Sequence, residues 1–174
     1  MTQSLDQDIR HTFHEVKKVL ALFNNDNLNK VPFEGSWTAA QVAEHMILAL
    51  SRSTALFTGP IAVTDRDPSE KIKIIEDIFL DMEKKFKSPE FILPSNDLHT
   101  KEELIATFDH IEKDLLAHTG GDLTGTCTLF ELPGMGHLTK DEWLHFYLAH
   151  TQRHTQQLKN ILQVFTKKPV AKNL

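Results

Sequence analysis

Residues 141–158, DEWLHFYLAHTQRHTQQL, predict one long amphipathic helix that carries two histidines on its buried face. Its apolar side chains recur every three or four residues, which is the repeat of a helical stripe packed against a core. The predicted stripe consists of Trp143, Tyr147, His150, His154, Leu158, Ile161 and Phe165. His150 and His154 therefore take positions that a core usually gives to apolar residues.

The spacing of His150 and His154 suits a metal site. Two imidazoles four residues apart project from the same face of a helix and can reach one ion. A buried imidazole needs partners for its ring nitrogens, because an unpaired buried polar group costs about 1 to 3 kcal/mol. A shared metal ion would satisfy both rings, and a hydrogen-bonded core network is the alternative.

Length, charge and cysteine content narrow the class of protein. The 174 residues predict a single domain over residues 1–166, followed by a basic tail at residues 167–174. A net charge of −5, with Lys and Arg scattered among acidic residues, argues against nucleic-acid binding. The first residues lack the features of a signal peptide, and no apolar run approaches the roughly 18 residues of a membrane span. Because Cys127 is the only cysteine, there is no disulfide framework, and we expect a cytoplasmic protein.

Local signals predict an all-α chain. Four Ser/Thr-x-x-Glu/Gln capping boxes mark helix starts: Ser4 with Gln7, Thr38 with Gln41, Thr100 with Glu103, and Thr139 with Glu142. They begin four long amphipathic helices at about residues 5–24, 38–57, 101–118 and 140–165, and an extra short helix covers about residues 69–86. We expect residues 61–68 to form a loop, residues 88–94 to be extended, and residues 120–138 to form a long irregular loop. Residues 124–129 are rich enough in β-branched side chains for a short strand, which is the alternative there. The predicted fold is a four-helix bundle.

A third histidine lies on the predicted inner face of the second helix. Its stripe runs through Thr38, Val42, His45, Ala49 and Leu56. Bundle sites are built from side chains on facing helices, so His45 is expected to meet His150 and His154. Three imidazoles on one divalent ion leave a position open for water or substrate, as in catalytic sites.

Three segments resemble the DinB/YfiT-like superfamily of metal-dependent enzymes. They are residues 37–45 (WTAAQVAEH), 136–143 (GHLTKDEW) and 150–157 (HTQRHTQQ), while residues 86–94 (FKSPEFILP) resemble an uncharacterised branch of it. The resemblance covers nearly the whole chain. It implies an up-down-down-up bundle and a divalent metal ion held by His45, His150 and His154. It also implies activities such as transfer to low-molecular-weight thiols, and dimers are common in the superfamily.

We therefore expect a metal-dependent hydrolase or thiol-dependent transferase that acts on a small molecule. The ion, Zn²⁺ or Ni²⁺, would lower the pKa of a bound water or thiol. One alternative is a non-catalytic, stress-related bundle that binds a small ligand, and the lack of a carboxylate on either histidine stripe favours it. Another is a protein-interaction bundle or homodimer that uses an apolar stripe of the short helix, formed by Ile72, Ile75 and Phe79.

Four other residues have side chains that could take part in a reaction, but no sequence pattern supports such a role. Cys127 is expected to be buried or in a loop rather than nucleophilic, and Glu44 to be solvated. Arg153 is expected to reach solvent beside the helix stripe. His137 is expected in a turn, with a proton shuttle as the alternative.

Overall fold

Helices make up most of this fold, for which the computed structural model describes residues 4–166. The helices are α1 (Leu5–Ala21), α2 (Asn25–Leu28), α3 (Ala39–Leu50), α4 (Ser53–Thr58), α5 (Ile72–Phe79), α6 (Lys101–Ala117) and α7 (Lys140–Thr166). The strands are β1 (Ile61–Ala62), β2 (Thr126–Leu132) and β3 (Gly136–Thr139). The predicted tail at residues 167–174 lies outside the described residues.

The four predicted capping boxes all form, which explains why the long helices begin where the sequence indicates. In each box the side-chain hydroxyl of the Ser or Thr accepts a hydrogen bond from the backbone amide of the Gln or Glu three residues later. The side chain of that Gln or Glu accepts a hydrogen bond from the backbone amide of the Ser or Thr. These boxes start α1, α3, α6 and α7. Helix starts are therefore the most local and most predictable feature of this chain.

The second helix is shorter than predicted. It was expected to reach residue 57, but α3 ends at Leu50 and a separate helix, α4, begins at Ser53. At the junction the Ser51 hydroxyl donates to the Leu48 carbonyl oxygen over 3.0 Å. A serine that bonds to the preceding turn in this way competes with regular helix geometry.

The prediction of a long irregular loop at residues 120–138 is wrong, and the alternative of a short strand at residues 124–129 is confirmed in part by β2 (Thr126–Leu132). Strands β2 and β3 form an antiparallel hairpin there. Gly134 in its turn and Gly136 at the start of β3 have φ of 81° and 70°. Strand β1 pairs with β2 through Ile61 and Cys127, so part of the predicted loop at residues 61–68 is also a strand. These strands are short, and the pairing of β1 with β2 is distant in sequence, so local patterns give a weak signal.

The extra helix is also shorter than predicted. It was expected over residues 69–86, but α5 covers Ile72–Phe79. The segment at residues 88–94, expected to be extended, contains a short 3-10 turn at Glu90–Ile92. Helix α5 packs against α7, where Ile75 is fully buried and Phe79 contacts Phe146 with ring centroids 5.0 Å apart. The apolar stripe proposed for protein interaction is therefore largely covered within the chain.

The contacts between long helices place the histidines. Helix α1 packs against α6 and α7, and α3 packs against the same two helices. Phe13 of α1 and Phe108 of α6 meet edge to face in the core, with ring centroids 6.2 Å apart. The α3–α7 contact brings His45 to His150 and His154. Within residues 4–166, no helix is both long and apolar enough to cross a bilayer.

Candidate metal centre

The three predicted histidines come together between α3 and α7. His45 is 2% exposed and His150 is 5% exposed, whereas His154 is only partly buried. Their ring centroids lie 5.1 Å (His45 to His150), 4.7 Å (His45 to His154) and 4.5 Å (His150 to His154) apart. The cluster therefore has two buried members and one on its more open side. We call these three residues the histidine triad.

The triad has the dimensions of a metal site. One possible ligand atom from each ring can be chosen so that all three atoms lie within 4.8 Å of one another. The Nε2 atoms of His45 and His150 are 3.2 Å apart. Two nitrogen ligands of a tetrahedral zinc ion, with bonds of about 2.0 to 2.1 Å, are about 3.3 Å apart. The three residues can therefore hold a metal ion.

Hydrogen bonds to the outer nitrogens orient two of the rings. His45 Nδ1 lies 2.8 Å from the carbonyl oxygen of Ile92, and His154 Nδ1 lies 2.8 Å from Oε1 of Gln157. Oxygen atoms of these kinds only accept, so each Nδ1 carries the proton. In a neutral ring the Nε2 atom then presents a lone pair. This is the outer contact that metal-binding histidines usually make.

A hydrogen-bonded network cannot satisfy the triad as well as a metal ion can. The Nε2 atoms of His45 and His154 both present lone pairs, and a neutral His150 has one ring proton to donate. Nδ1 of His150 is buried and has no partner among the described residues. If Nε2 of His150 donates to His45, then His154 Nε2 receives no proton from the triad. Nδ1 of His150 stays unpaired in both cases, as an acceptor in the network and as an N–H donor when Nε2 binds an ion. An ion bound by three Nε2 lone pairs would use all three inner nitrogens, so the residues fit a metal site.

Burial keeps the triad neutral. It is the main cause that lowers the pKa of each ring, and for His45 the hydrogen bond to Ile92 partly opposes it. The pKa of His154 falls to about 4 through burial and the nearby His45, and the pKa of His150 lies well below its usual range through burial and the nearby His154 and His45. The Arg153 guanidinium lowers both of these further. Neutral imidazole is the form that binds metal, so protons do not compete for the triad near pH 7.

The sequence matches the model of one protein family, described as the DinB superfamily, over residues 8–158. The chain belongs to the DinB superfamily. No curated protein and no solved structure matches it significantly. The triad of this DinB member lies within the matched residues, and the family resemblance predicted from its motifs is confirmed.

Two contacts of the triad were not predicted. Ile92 contributes only its backbone oxygen, so its side chain gave no signal. Gln157 was part of the DinB-like motif without an assigned role, although its position three residues after His154 places both side chains on one helix face. Aromatic rings enclose the triad further. Trp37 lies 5.1 Å from His45, and Phe146 lies 5.5 Å from His150, measured between ring centroids.

The other candidate residues lie in different settings. Glu44 was expected to be solvated, but its Oε2 accepts from the amide and hydroxyl of Ser95 and lies 3.3 Å from His99. His137 was expected in a turn, but it lies in strand β3, where its Nδ1 contacts the Phe130 carbonyl oxygen rather than the triad.

Cys127 and Arg153 are also held inside the fold. Cys127 is fully buried in β2, and burial raises the pKa of its thiol to about 11, which makes it a poor nucleophile. Arg153 was expected to reach solvent, but its guanidinium donates to backbone carbonyl oxygens. Neither residue supplies a reacting group to the triad.

Proposed function

We propose that this DinB member is a metal-dependent enzyme in which His45, His150 and His154 hold a divalent ion. The observation that carries the proposal is that one possible ligand atom from each of the three rings lies within 4.8 Å of the others, with too few protons among the rings to form a closed network. Zn²⁺ and Ni²⁺ both suit imidazole ligands. The substrate we propose is a small molecule, with a low-molecular-weight thiol as a candidate cosubstrate.

The chemistry we propose is activation of a water or thiol nucleophile, for hydrolysis or thiol transfer. A divalent ion in this site would lower the pKa of a bound water or thiol by its charge. The chain holds the ligand rings in the neutral state through burial and orients two of them through Ile92 and Gln157. The partly exposed ring of His154 marks the side from which a substrate would approach.

The helical framework we infer for this site is a four-helix bundle of up-down-down-up connectivity, made of α1, α3, α6 and α7. Its support is that α1 and α3 each pack against both α6 and α7. In such a framework the two ligand-bearing helices face each other, and the ligands project from their inner faces.

The metal content of the purified protein tests the proposal. Protein without an affinity tag is incubated with Zn²⁺ or Ni²⁺, desalted and measured by elemental analysis, beside His150→Ala and the control His110→Ala. The control ring has 76% side-chain exposure and lies on α6. We expect near-stoichiometric metal in the wild type and the control, and its loss in His150→Ala. A wild-type protein that contains no metal after incubation with Zn²⁺ or Ni²⁺ would refute the proposal.

A second candidate is a non-catalytic protein that binds a small ligand in the bundle. One observation favours it: among residues 4–166, no carboxylate hydrogen-bonds to a triad ring, so the site has no evident general base. Turnover separates the two candidates. Metal-loaded protein, metal-free protein and His154→Ala are compared on ester, amide and thiol-transfer substrates. Turnover that requires both metal and His154 supports the enzyme, and ligand binding without turnover supports the second candidate.

A further inference from the structure

The connection between α5 and α6 links the two helices that carry the triad. We call residues 80–95 of this connection the strap. Apart from the 3-10 turn at Glu90–Ile92, it has no regular secondary structure. One end is attached to α7 next to His154, and the other is attached to α3 at His45. The strap therefore crosses the region where the triad lies.

The attachment to α7 is made by Arg153, the residue before His154. Its Nη1 donates to the carbonyl oxygens of Phe79 and Asp81 over 3.3 and 2.6 Å, and its Nη2 donates to that of Lys84. The guanidinium also lies over the ring of Phe86, 4.9 Å from its centroid. One side chain thus holds the end of α5 and the first part of the strap against α7.

Aromatic contacts continue this attachment to the triad. Phe86 stacks on Phe79 with ring centroids 5.5 Å apart, and Phe79 lies 6.4 Å from the ring of His150. Phe86 is 49% exposed, so it forms the outer layer of this group. Phe79, the last residue of α5, therefore contacts the triad directly, and the first part of the strap packs against Phe79 through Phe86.

The attachment to α3 is made by His45 and its neighbours. His45 Nδ1 donates to the Ile92 carbonyl oxygen, as described above. Glu44 Oε2 accepts from the amide and hydroxyl of Ser95 over 3.0 and 3.1 Å, and Gln41 Nε2 donates to the Ser95 carbonyl oxygen over 2.9 Å. This end makes more hydrogen bonds to the helix than the α7 end makes through Arg153.

The middle of the strap is weakly held. Within the described chain, residues 85–90 make no hydrogen bond to any other element. The ring contacts in this part of the strap are those of Phe86 and, just beyond residue 90, the stacking of Arg52 on Phe91, with the guanidinium 4.7 Å from the ring centroid. Segments with few buried contacts and few hydrogen bonds open most easily. Opening at the Arg153 end would break the contacts of Arg153 and the stacking of Phe86 on Phe79, and would leave the α3 end in place.

We propose that the strap is a gate over the histidine triad, closed by Arg153. Small molecules and ions gain wider access to the partly exposed ring of His154 when the first part of the strap moves off α7. The identity of the molecules and ions that pass the gate rests on the proposed metal-dependent function. The control of access to His154 by the strap does not depend on that function. The residue that closes the gate is adjacent to a triad member, so the closed strap and the triad share one helix turn of α7.

Chemical modification of the metal-free protein tests the gate without any activity. Diethyl pyrocarbonate reacts with accessible neutral imidazoles, and tandem mass spectrometry assigns the modified ring. The rate at His154 is divided by the rate at His110, an exposed internal reference with 76% side-chain exposure. We expect Arg153→Ala to raise this ratio by about tenfold or more. Loss of one charge-assisted hydrogen bond shifts the equilibrium between the closed and open strap by about that factor. Phe86→Ala should raise it as well.

Two further variants complete the design. Arg10→Ala removes an exposed arginine of α1 and should leave the ratio unchanged. Arg153→Lys keeps the charge but cannot reach three carbonyl oxygens at once, so it should behave like Arg153→Ala if hydrogen bonds close the gate. Phe86 is half exposed, so Phe86→Ala serves if Arg153→Ala does not fold.

The outcomes separate the gate from the proposed function. Equal ratios in the wild type, Phe86→Ala and the folded Arg153 variants would overturn the gate, whatever the metal content. A raised ratio in a protein that binds no metal would support the gate and reject the metal-dependent function. A raised ratio together with bound metal would support both.

Discussion

Replacing His150 with leucine should make the metal-free protein less sensitive to acid. An unfolded imidazole has a pKa of about 6.5, so it binds a proton near pH 5, whereas the buried ring of His150 stays neutral in the folded state. The unfolded state then binds more protons, and stability falls as the pH falls below about 6.5. For one such ring the loss between about pH 7.5 and about pH 5 is roughly 2 kcal/mol. His150→Leu should recover about that amount.

The measurement is urea unfolding at both pH values in the presence of a chelator, monitored by far-UV circular dichroism. The quantity compared is the change in the free energy of unfolding between the two pH values, so other groups that titrate equally in both proteins cancel. His110→Leu is the control, because the ring of His110 is exposed and its replacement removes no buried imidazole. If His150→Leu and the wild type lose the same stability on acidification, His150 is not kept neutral by burial, and the reasoning is refuted.

Two further predictions concern partners of the site and its helix. Gln157→Leu removes the acceptor of His154 Nδ1, and we expect metal affinity, measured by competition with a chromophoric chelator, to fall about 10 to 100-fold; an unchanged affinity would contradict this role. Glu142→Ala leaves Arg66 and two backbone amides without their buried acceptor, so we expect a loss of about 3 to 5 kcal/mol in urea unfolding. The matched control Glu70→Ala removes an exposed partner 3.6 Å from the same Arg66 and should change stability by less than about 1 kcal/mol, and equal losses in the two variants would contradict the prediction.

The features predicted from sequence are those fixed by local chemistry. A capping box depends on two residues three apart, so Thr139 with Glu142 can be recognised without knowledge of the fold. The meeting of His45 with His150 and His154 follows from helical periodicity once two amphipathic helices face each other. The stripe that identified His150 as buried is the stripe that packs on α3, so one pattern predicted both fold and site.

The features missed depend on contacts distant in sequence or on backbone atoms. The pairing of Ile61 with Cys127 joins segments far apart in sequence, and strand β1 has only two residues, too few to show a periodic pattern. Ile92 contacts His45 through a carbonyl oxygen that any residue could provide. Arg153 lies one position away from the stripe, where helical periodicity places side chains in solvent. Its actual partners are carbonyl oxygens of residues 79–84, which no side-chain pattern indicates.

The energetics of His150 distinguish a ligand-binding residue from a structural one. A structural histidine forms hydrogen bonds that stabilise the fold, so its removal should lower stability at every pH. His150 has a buried Nδ1 with no partner among the described residues, and its neutrality weakens the metal-free fold in acid. Retaining such a residue makes physical sense if a bound ion stabilises the folded state in return. A single substitution should therefore move two measurements in opposite directions: His150→Leu should lose metal and resist acid better. Loss of stability at both pH values, with metal content unaltered, would instead assign His150 to the core.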